Sequence, residues 1–335
     1  MTIMIFLSSC GGPDALVVNM VGEDGTVQRK LILTYHADEF DLSDCQVPVD
    51  STWVISKSFD VSEEGDTTYS LTAIKKFDSV DEINHDYKNY KGTNPGMIRR
   101  AYFEKKFRWF NNLYRYSEKV SAALVGIPPE DFFTEEEIDY LYMPEKLTDA
   151  LLEGPDSTKI SEEILDPLEK RKEEWLGKSL LRALVVKLAD TAYANPEIEI
   201  DTNRLYRKEE ELTSMLSFDD LEEEQILDTL LGKGFYQDNS VLVENFLSEI
   251  EKELGPAFEA DSYLLQTFMP GELIATNGYL DKEGNVLWEV DGDKFLSSDY
   301  EMWIESKTSN PWAWMVTGAF VLFVMSGLLF KAFKS

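Results

Sequence analysis

From Trp312 to Phe330 this 335-residue chain carries no charged residue. Nineteen residues at about 1.5 Å each reach roughly 28 Å, the thickness of a bilayer's hydrocarbon core. Pro311 stands where a helix start tolerates a missing N–H. Trp312 and Trp314 suit one interface, and Lys331 and Lys334 suit the other. The run predicts a single transmembrane helix over 311–331 with a tail at 332–335; a buried core helix is the competing account. Two lysines follow the run and no basic cluster immediately precedes it, so the positive-inside tendency puts Ser335 in the cytoplasm. The bulk, residues 11–310, then lies on the extracytoplasmic side of the inner membrane.

Everything before that run must be read as the cargo of an anchor. Its length suits roughly two domains. The net charge of −31 speaks against a nucleic-acid partner, which needs a basic footprint to release counterions. Two cysteines, Cys10 and Cys45, and two histidines, His36 and His85, leave little for a cysteine/histidine metal site, which needs three or four ligands. No cofactor is implied.

The first residues end in Leu7-Ser8-Ser9-Cys10. This resembles the lipobox of bacterial lipoproteins, and the resemblance implies a signal segment over 1–10 and a lipid on the Cys10 thiol. The start departs from that pattern, because it has neither the charged residues nor the long apolar run of a signal peptide. An N-terminal strand with a chance cysteine is the alternative.

Residues 11–124 read as β-rich. Ala15–Val21 and Thr26–Tyr35 flank the turn chemistry of Gly22-Glu-Asp-Gly25, and Thr52–Phe59 and Thr67–Phe77 flank a second acidic turn. Residues 81–96 read as a polar connector. From Arg99 to Lys119 seven aromatic residues alternate with seven basic ones against Glu104 and Glu118. Aromatic enrichment favours an extended strand or hairpin there. Such a stretch suits lipid head groups or stacked bases; a core strand with snorkelling Lys and Arg stems is the plainer account.

Residues 125–256 turn helical and acidic: between Val125 and Ala260 stand 35 acidic and 13 basic residues, a net of −22. Asp166-Pro167-Leu168-Glu169 is expected to open one helix that runs to Asn195-Pro196, a second should cover Asp219–Leu231, and a third Val241–Leu254, stopped by Gly255-Pro256. From 257 to 310 short strand-like runs return, separated by Pro270-Gly271, Asn277-Gly278 and Asn285 before Val286-Leu-Trp288. That arrangement ahead of a span is similar to the membrane-proximal β segment of LppM-like bacterial envelope lipoproteins, which implies an exported, tethered module and no particular chemistry.

The fold class expected is α+β: a β-rich domain built from both chain ends, an acidic helical insertion and one C-terminal transmembrane helix. No nucleophile elbow, phosphate loop or zinc-protease motif occurs. Asp281–Asn285 and Asp291–Asp293 are too short for a calcium loop. His85 would be the lone general-base candidate, in a setting where histidine is usually plain surface. The leading functional expectation is a non-enzymatic envelope module that binds a protein partner or scaffolds a complex. The alternatives are an envelope glycan hydrolase with an unassigned carboxylate pair, and a sensor or inhibitor subunit of a membrane complex.

Overall fold

A computed structural model describes residues 14–36, 42, 46–62, 65–90, 98–152, 162–194, 201–215, 223–258 and 262–334. Two sheets face each other across the main core. The seven-stranded sheet runs in the order β3 (Val54–Val61), β4 (Thr67–Phe77), β2 (Val27–Tyr35), β1 (Asp14–Val21), β7 (Tyr263–Phe268), β10 (Val286–Val290) and β9 (Tyr279–Leu280). The four-stranded sheet runs β5 (Arg99–Phe107), β6 (Asn111–Val120), β11 (Tyr300–Ser309) and β8 (Glu272–Thr276). In the strands that line the core, every second residue points inward, as the strand repeat of two requires. Val27, Arg29, Leu31 and Leu33 of β2 and Tyr300, Met302, Ile304 and Ser306 of β11 are all buried.

Both chain ends build each sheet, as expected. β1 pairs in parallel with β7, Leu16 opposite Leu264, and β6 pairs antiparallel with β11, Tyr116 opposite Ile304. The chain from 263 to 309 alternates between the sheets and so knits them together. Its glycine turns make the crossings. Gly271 has φ +83°, and a Cβ there would lie 2.1 Å from the Lys307 carbonyl oxygen. Asn277-Gly278, which reads as a hairpin turn, is instead a corner between sheets. The Asn277 side-chain oxygen accepts from the Trp303 amide at 2.8 Å and the Trp288 indole at 3.1 Å, and the Trp288 ring leaves no room for a side chain at 278.

The helical insertion leaves after β6 and returns before β7. It comprises α2 (Pro129–Phe132), α3 (Glu135–Tyr142), α4 (Glu145–Leu152), α5 (Glu162–Ala194), α6 (Thr202–Met215), α7 (Glu223–Leu231), α8 (Phe235–Asp238) and α9 (Ser240–Phe258). Before it, α1 (Val80–Asn89) occupies the stretch that reads as a connector. One buried residue, Ile83, and a two-way clasp between the Asn84 amide and the Ala101 backbone dock α1 on β5. Two further sequence boundaries shift. Pro167 lies inside α5 rather than at its first turn, and α9 runs through Gly255-Pro256 to Phe258. Pro256 stands third from the end of α9, so the helix does close within the turn that contains it. Gly232 does end α7, with φ +128°.

α5 joins two cores. Its first half supplies Leu168, Trp175 and Leu176 to the sandwich core. Its second half supplies Leu181, Val185 and Leu188 to a smaller core with Leu205, Leu227, Leu230 and Phe246. The last helix, α10 (Pro311–Lys334), follows β11 after Asn310. It is long and apolar enough to cross a membrane, and its residues from Gly318 to Phe333 are exposed, unlike those of a core helix.

Candidate functional site

The aromatic and basic stretch is a hairpin. β5 and β6 pair from Arg99 opposite Val120 to Phe107 opposite Asn112, and a tight turn closes them through mutual backbone bonds between Arg108 and Asn111. Its base is core: Ala101, Tyr114, Tyr116 and Val120 are buried. Its tip is not, since Phe107 is 60% and Trp109 47% exposed.

That tip lies on the start of α10. Asn310, buried between them, makes the joint. Its amide N–H donates to the Phe110 carbonyl at 2.9 Å, its side-chain nitrogen to the Arg108 carbonyl at 2.9 Å, and its side-chain oxygen accepts from Asn112 at 2.9 Å. Rings extend the contact: Phe107 stacks on Trp312 at 6.4 Å, Trp109 meets Trp312 edge-on at 5.1 Å, and Phe110 packs on Trp314 at 4.3 Å. The Trp109 indole donates to the Thr317 hydroxyl at 2.9 Å. The helix is therefore mounted on the second sheet by defined contacts rather than hung from a loose linker.

Asn310→Ala should remove the side-chain bonds to the Asn112 amide and to the Arg108 carbonyl, which keeps only the longer bond from the Asn111 amide, at a cost of about 1–3 kcal/mol. The expected result is a lower thermal midpoint for the detergent-solubilised full chain and faster tryptic cleavage after Arg108. Unchanged cleavage at Arg108 would show that the rings, the Asn310 backbone N–H and the Trp109–Thr317 bond hold the joint without the Asn310 side chain.

A buried charged network lies elsewhere, between the sheets. Arg29 of β2 and Glu118 of β6 pair at 2.5 Å with side chains 2% and 6% exposed. Asn19 bridges them, accepting from Arg29 at 2.8 Å and donating to Glu118 at 2.7 Å. Tyr87 of α1 accepts from Arg29 at 2.6 Å and donates to Glu118 at 2.6 Å, and Tyr116 donates to Glu118 at 2.7 Å. Burial alone would push the Glu118 carboxyl up. The Arg29 charge and the Tyr87, Tyr116 and Asn19 donors outweigh it and hold that carboxyl below its usual value. Burial and the Glu118 charge push the Tyr116 and Tyr87 phenols up, and Arg29 opposes them at both. Arg99 sits beside this network, over the rings of Tyr87 and Tyr263, and donates to the Gln46 carbonyl at 2.8 Å. A buried pair so fully satisfied orders two sheets and a helix against one another; it has no donor or acceptor aimed at a substrate.

A second charged group lies where α5 meets the 3-10 turn Gly292–Phe295. Lys172 pairs with Asp293 at 2.7 Å and Lys294 with Glu289 at 2.9 Å, while Asp291 caps the turn through the Gly292 amide at 2.6 Å. Burial and the neighbouring Asp293 raise the Asp291 carboxyl. The lysines and the cap engage these carboxylates in mooring the insertion.

No family model matches this chain, and no curated protein matches it. Among solved structures, it is similar to the NMR structure of the folded domain of Mycobacterium tuberculosis LppM, with 8% identity, 92% of this chain and 97% of that chain covered, and a TM-score of 0.27. A likeness of that size carries no argument about fold or function.

Of the residues singled out from the sequence, Cys10 and Cys45 lie outside the described residues. His85 is exposed on α1, where its carbonyl accepts from Asn89, and it joins neither charged group. The aromatic and basic stretch is where the second sheet meets the apolar helix. Asn310 was not singled out; an asparagine directly before a proline and an apolar run is the signal that marks it. Among the described residues no cluster of His, Cys, Asp and Glu could hold a metal ion.

Proposed function

We propose that this protein is a membrane-anchored, extracytoplasmic, non-enzymatic module that presents its acidic helical insertion to a basic protein partner. One observation carries the reading: the two ends of β11 hold different things. At Tyr300, opposite Val120, the sheet meets the insertion; at Ser309, opposite Asn111, it meets the apolar helix. Ten strand residues separate these ends by roughly 30 Å. The insertion then stands off the bilayer by about the height of the sandwich. Its exposed acids, Glu244 and Glu249 of α9 among them, steer a basic partner from a distance.

Of the two anchors the sequence offers, this reading rests on the apolar helix. β1 starts at the insertion pole and ends near the helix pole: Tyr263, beside its start, meets Arg99, and Glu23, past its end, meets Tyr114 at 3.0 Å. Four residues from Cys10 to Asp14 reach at most about 14 Å, whereas β1 alone covers roughly 23 Å. A lipid at Cys10 in the same bilayer would require the sandwich to recline along the membrane. Mass spectrometry of the mature N-terminus tests this, and a diacylglyceryl Cys10 would replace the standing arrangement with the reclining one.

The reading is tested by co-purification of the full chain from detergent-solubilised native membranes, in parallel with a Glu244→Lys, Glu249→Lys variant. A specific basic protein retained by the first and depleted from the second supports it. Its association rate should fall as salt shortens the screening length from about 10 Å at 0.1 M to about 3 Å at 1 M. A rate indifferent to both salt and reversal would make the acidic face a solubility feature. Turnover of cell-wall fragments by the purified chain would favour the hydrolase instead.

A further inference from the structure

We propose that the β5–β6 tip, Phe107 to Phe110, is a second membrane-contacting element, seated among the lipid head groups and upper acyl chains beside α10. The inference rests on the reading of α10 as a membrane span. The tip is not free to choose its depth, because Asn310, Trp312 and Thr317 tie it to the first two turns of that helix. Thr317 lies six residues past Pro311, about 9 Å along the axis. If Lys331 marks the far interface, a core-spanning length of about 20 residues begins at Pro311. Trp109, bonded to Thr317, then reaches a depth typical of interfacial segments, about 5–10 Å.

The chemistry of the tip matches that depth. Phe107, Trp109, Trp312 and Trp314 form one exposed aromatic band, and tryptophan favours the layer where an apolar ring body and a polar N–H are both accommodated. On an ordinary soluble surface so many contiguous exposed rings would be a liability. Lys105, Lys106 and Arg108 flank the band and are exposed. At this level they would meet the phosphates of anionic phospholipid. They are part of the one strongly basic stretch in a chain of net charge −31. Two contacts, a span and a wedge beside it, would fix the azimuth and tilt of the sandwich over the bilayer, which a single helix on a loose linker does not.

The test places one nitroxide label at a time in the full chain, in a Cys10→Ser, Cys45→Ser background that also removes any lipid at Cys10. The sites are Arg108→Cys and Lys106→Cys at the tip, Lys233→Cys in the insertion and Leu322→Cys in the span. The proteins are reconstituted into vesicles of phosphatidylcholine and phosphatidylglycerol at about 7:3, since anionic lipid attracts Lys and Arg near the surface. Collision with oxygen is compared with collision with an aqueous nickel chelate. The expected oxygen-to-nickel ratio at 108 and 106 is several-fold above that at 233 and below that at 322. If 322 reads as lipid while 108 and 106 both match 233, the tip stands in water and the proposal is overturned, though the span stands. If 322 itself reads as aqueous, both fail. Circular dichroism melts of each labelled protein exclude those whose midpoint has collapsed, and the two tip sites keep the comparison available if one of them is excluded.

Discussion

Glu118→Ala should destabilise the full chain by about 3–5 kcal/mol, the cost of leaving a buried charge without its partner. Arg29 has almost no access to water, and Glu118 is the charge that balances it. The same substitution strips Asn19, Tyr87 and Tyr116 of a shared acceptor. Thermal or denaturant unfolding in detergent measures the loss. A cost under about 1 kcal/mol, the range of exposed ion pairs, would show that water reaches Arg29. Converting both partners to methionine should recover part of the loss, because no lone charge then remains. The network also fixes the sign of the pH dependence. Glu118 is held below its usual value in the folded state, so its contribution is present above about pH 4.3 and is lost as pH falls through the lower folded value. Tyr87 and Tyr116 are held above theirs, so their contribution is present below about pH 10 and is lost as pH rises beyond it. The midpoint from this network should be level between those limits and fall outside them. In Glu118→Ala the acid-side fall should weaken.

Trp175→Ala should cost about 3–5 kcal/mol and also change the form of the transition. Trp175 packs edge-on against Phe133 at 5.8 Å and its indole donates to the Ile127 carbonyl at 2.8 Å. It is buried in the sandwich core on the half of α5 that belongs there, while the other half belongs to the smaller core. Removing it weakens the mooring without touching Leu181, Val185 or Leu188. A single calorimetric transition is expected to split in two, with the helical part melting separately. If the variant still unfolds in one step with a lowered midpoint, the two cores are coupled by more than this anchor.

The parts of the fold legible in the sequence are those where one physical signal acts alone. The apolar run at 15–21, the alternation over 26–35 and the strand-like runs at 67–77, 286–290 and 300–305 mark β1, β2, β4, β10 and β11, because each presents one face to a core. The uncharged run marks α10 for the same reason: a single environment selects its whole length. The misses come where tertiary contacts decide. α1 is short and polar, and it is held by Ile83 and by Asn84 reading the Ala101 backbone, which no periodicity announces. Asn277-Gly278 has hairpin chemistry, but its asparagine is used by Trp303 and Trp288 from different sheets. One local signal was present and passed over. Thr134 and Glu137 form a capping box at the start of α3, a pattern visible as Thr-x-x-Glu. At the α10 end, aromatic enrichment marked the hairpin of β5 and β6, but not the joint at Asn310, which exists only once β6 and β11 are paired.

The pairing of β1 with β7 has a consequence for the order in which the chain can assemble. β1 is synthesised long before β7 and lies inside the seven-stranded sheet, with β2 on one side and β7 on the other. Until residues 263–290 arrive, its second edge has no native partner, and an open edge of Val and Leu is a template for unwanted pairing. Contacts so distant in sequence are slow to form, because loop closure must precede any gain from pairing. β1 and β2 are therefore a waiting intermediate until β7 is made, and a holding chaperone that masks the Leu16–Met20 edge should raise the yield of folded protein more than one that acts on the helical insertion, whose smaller core is assembled from residues 181–250.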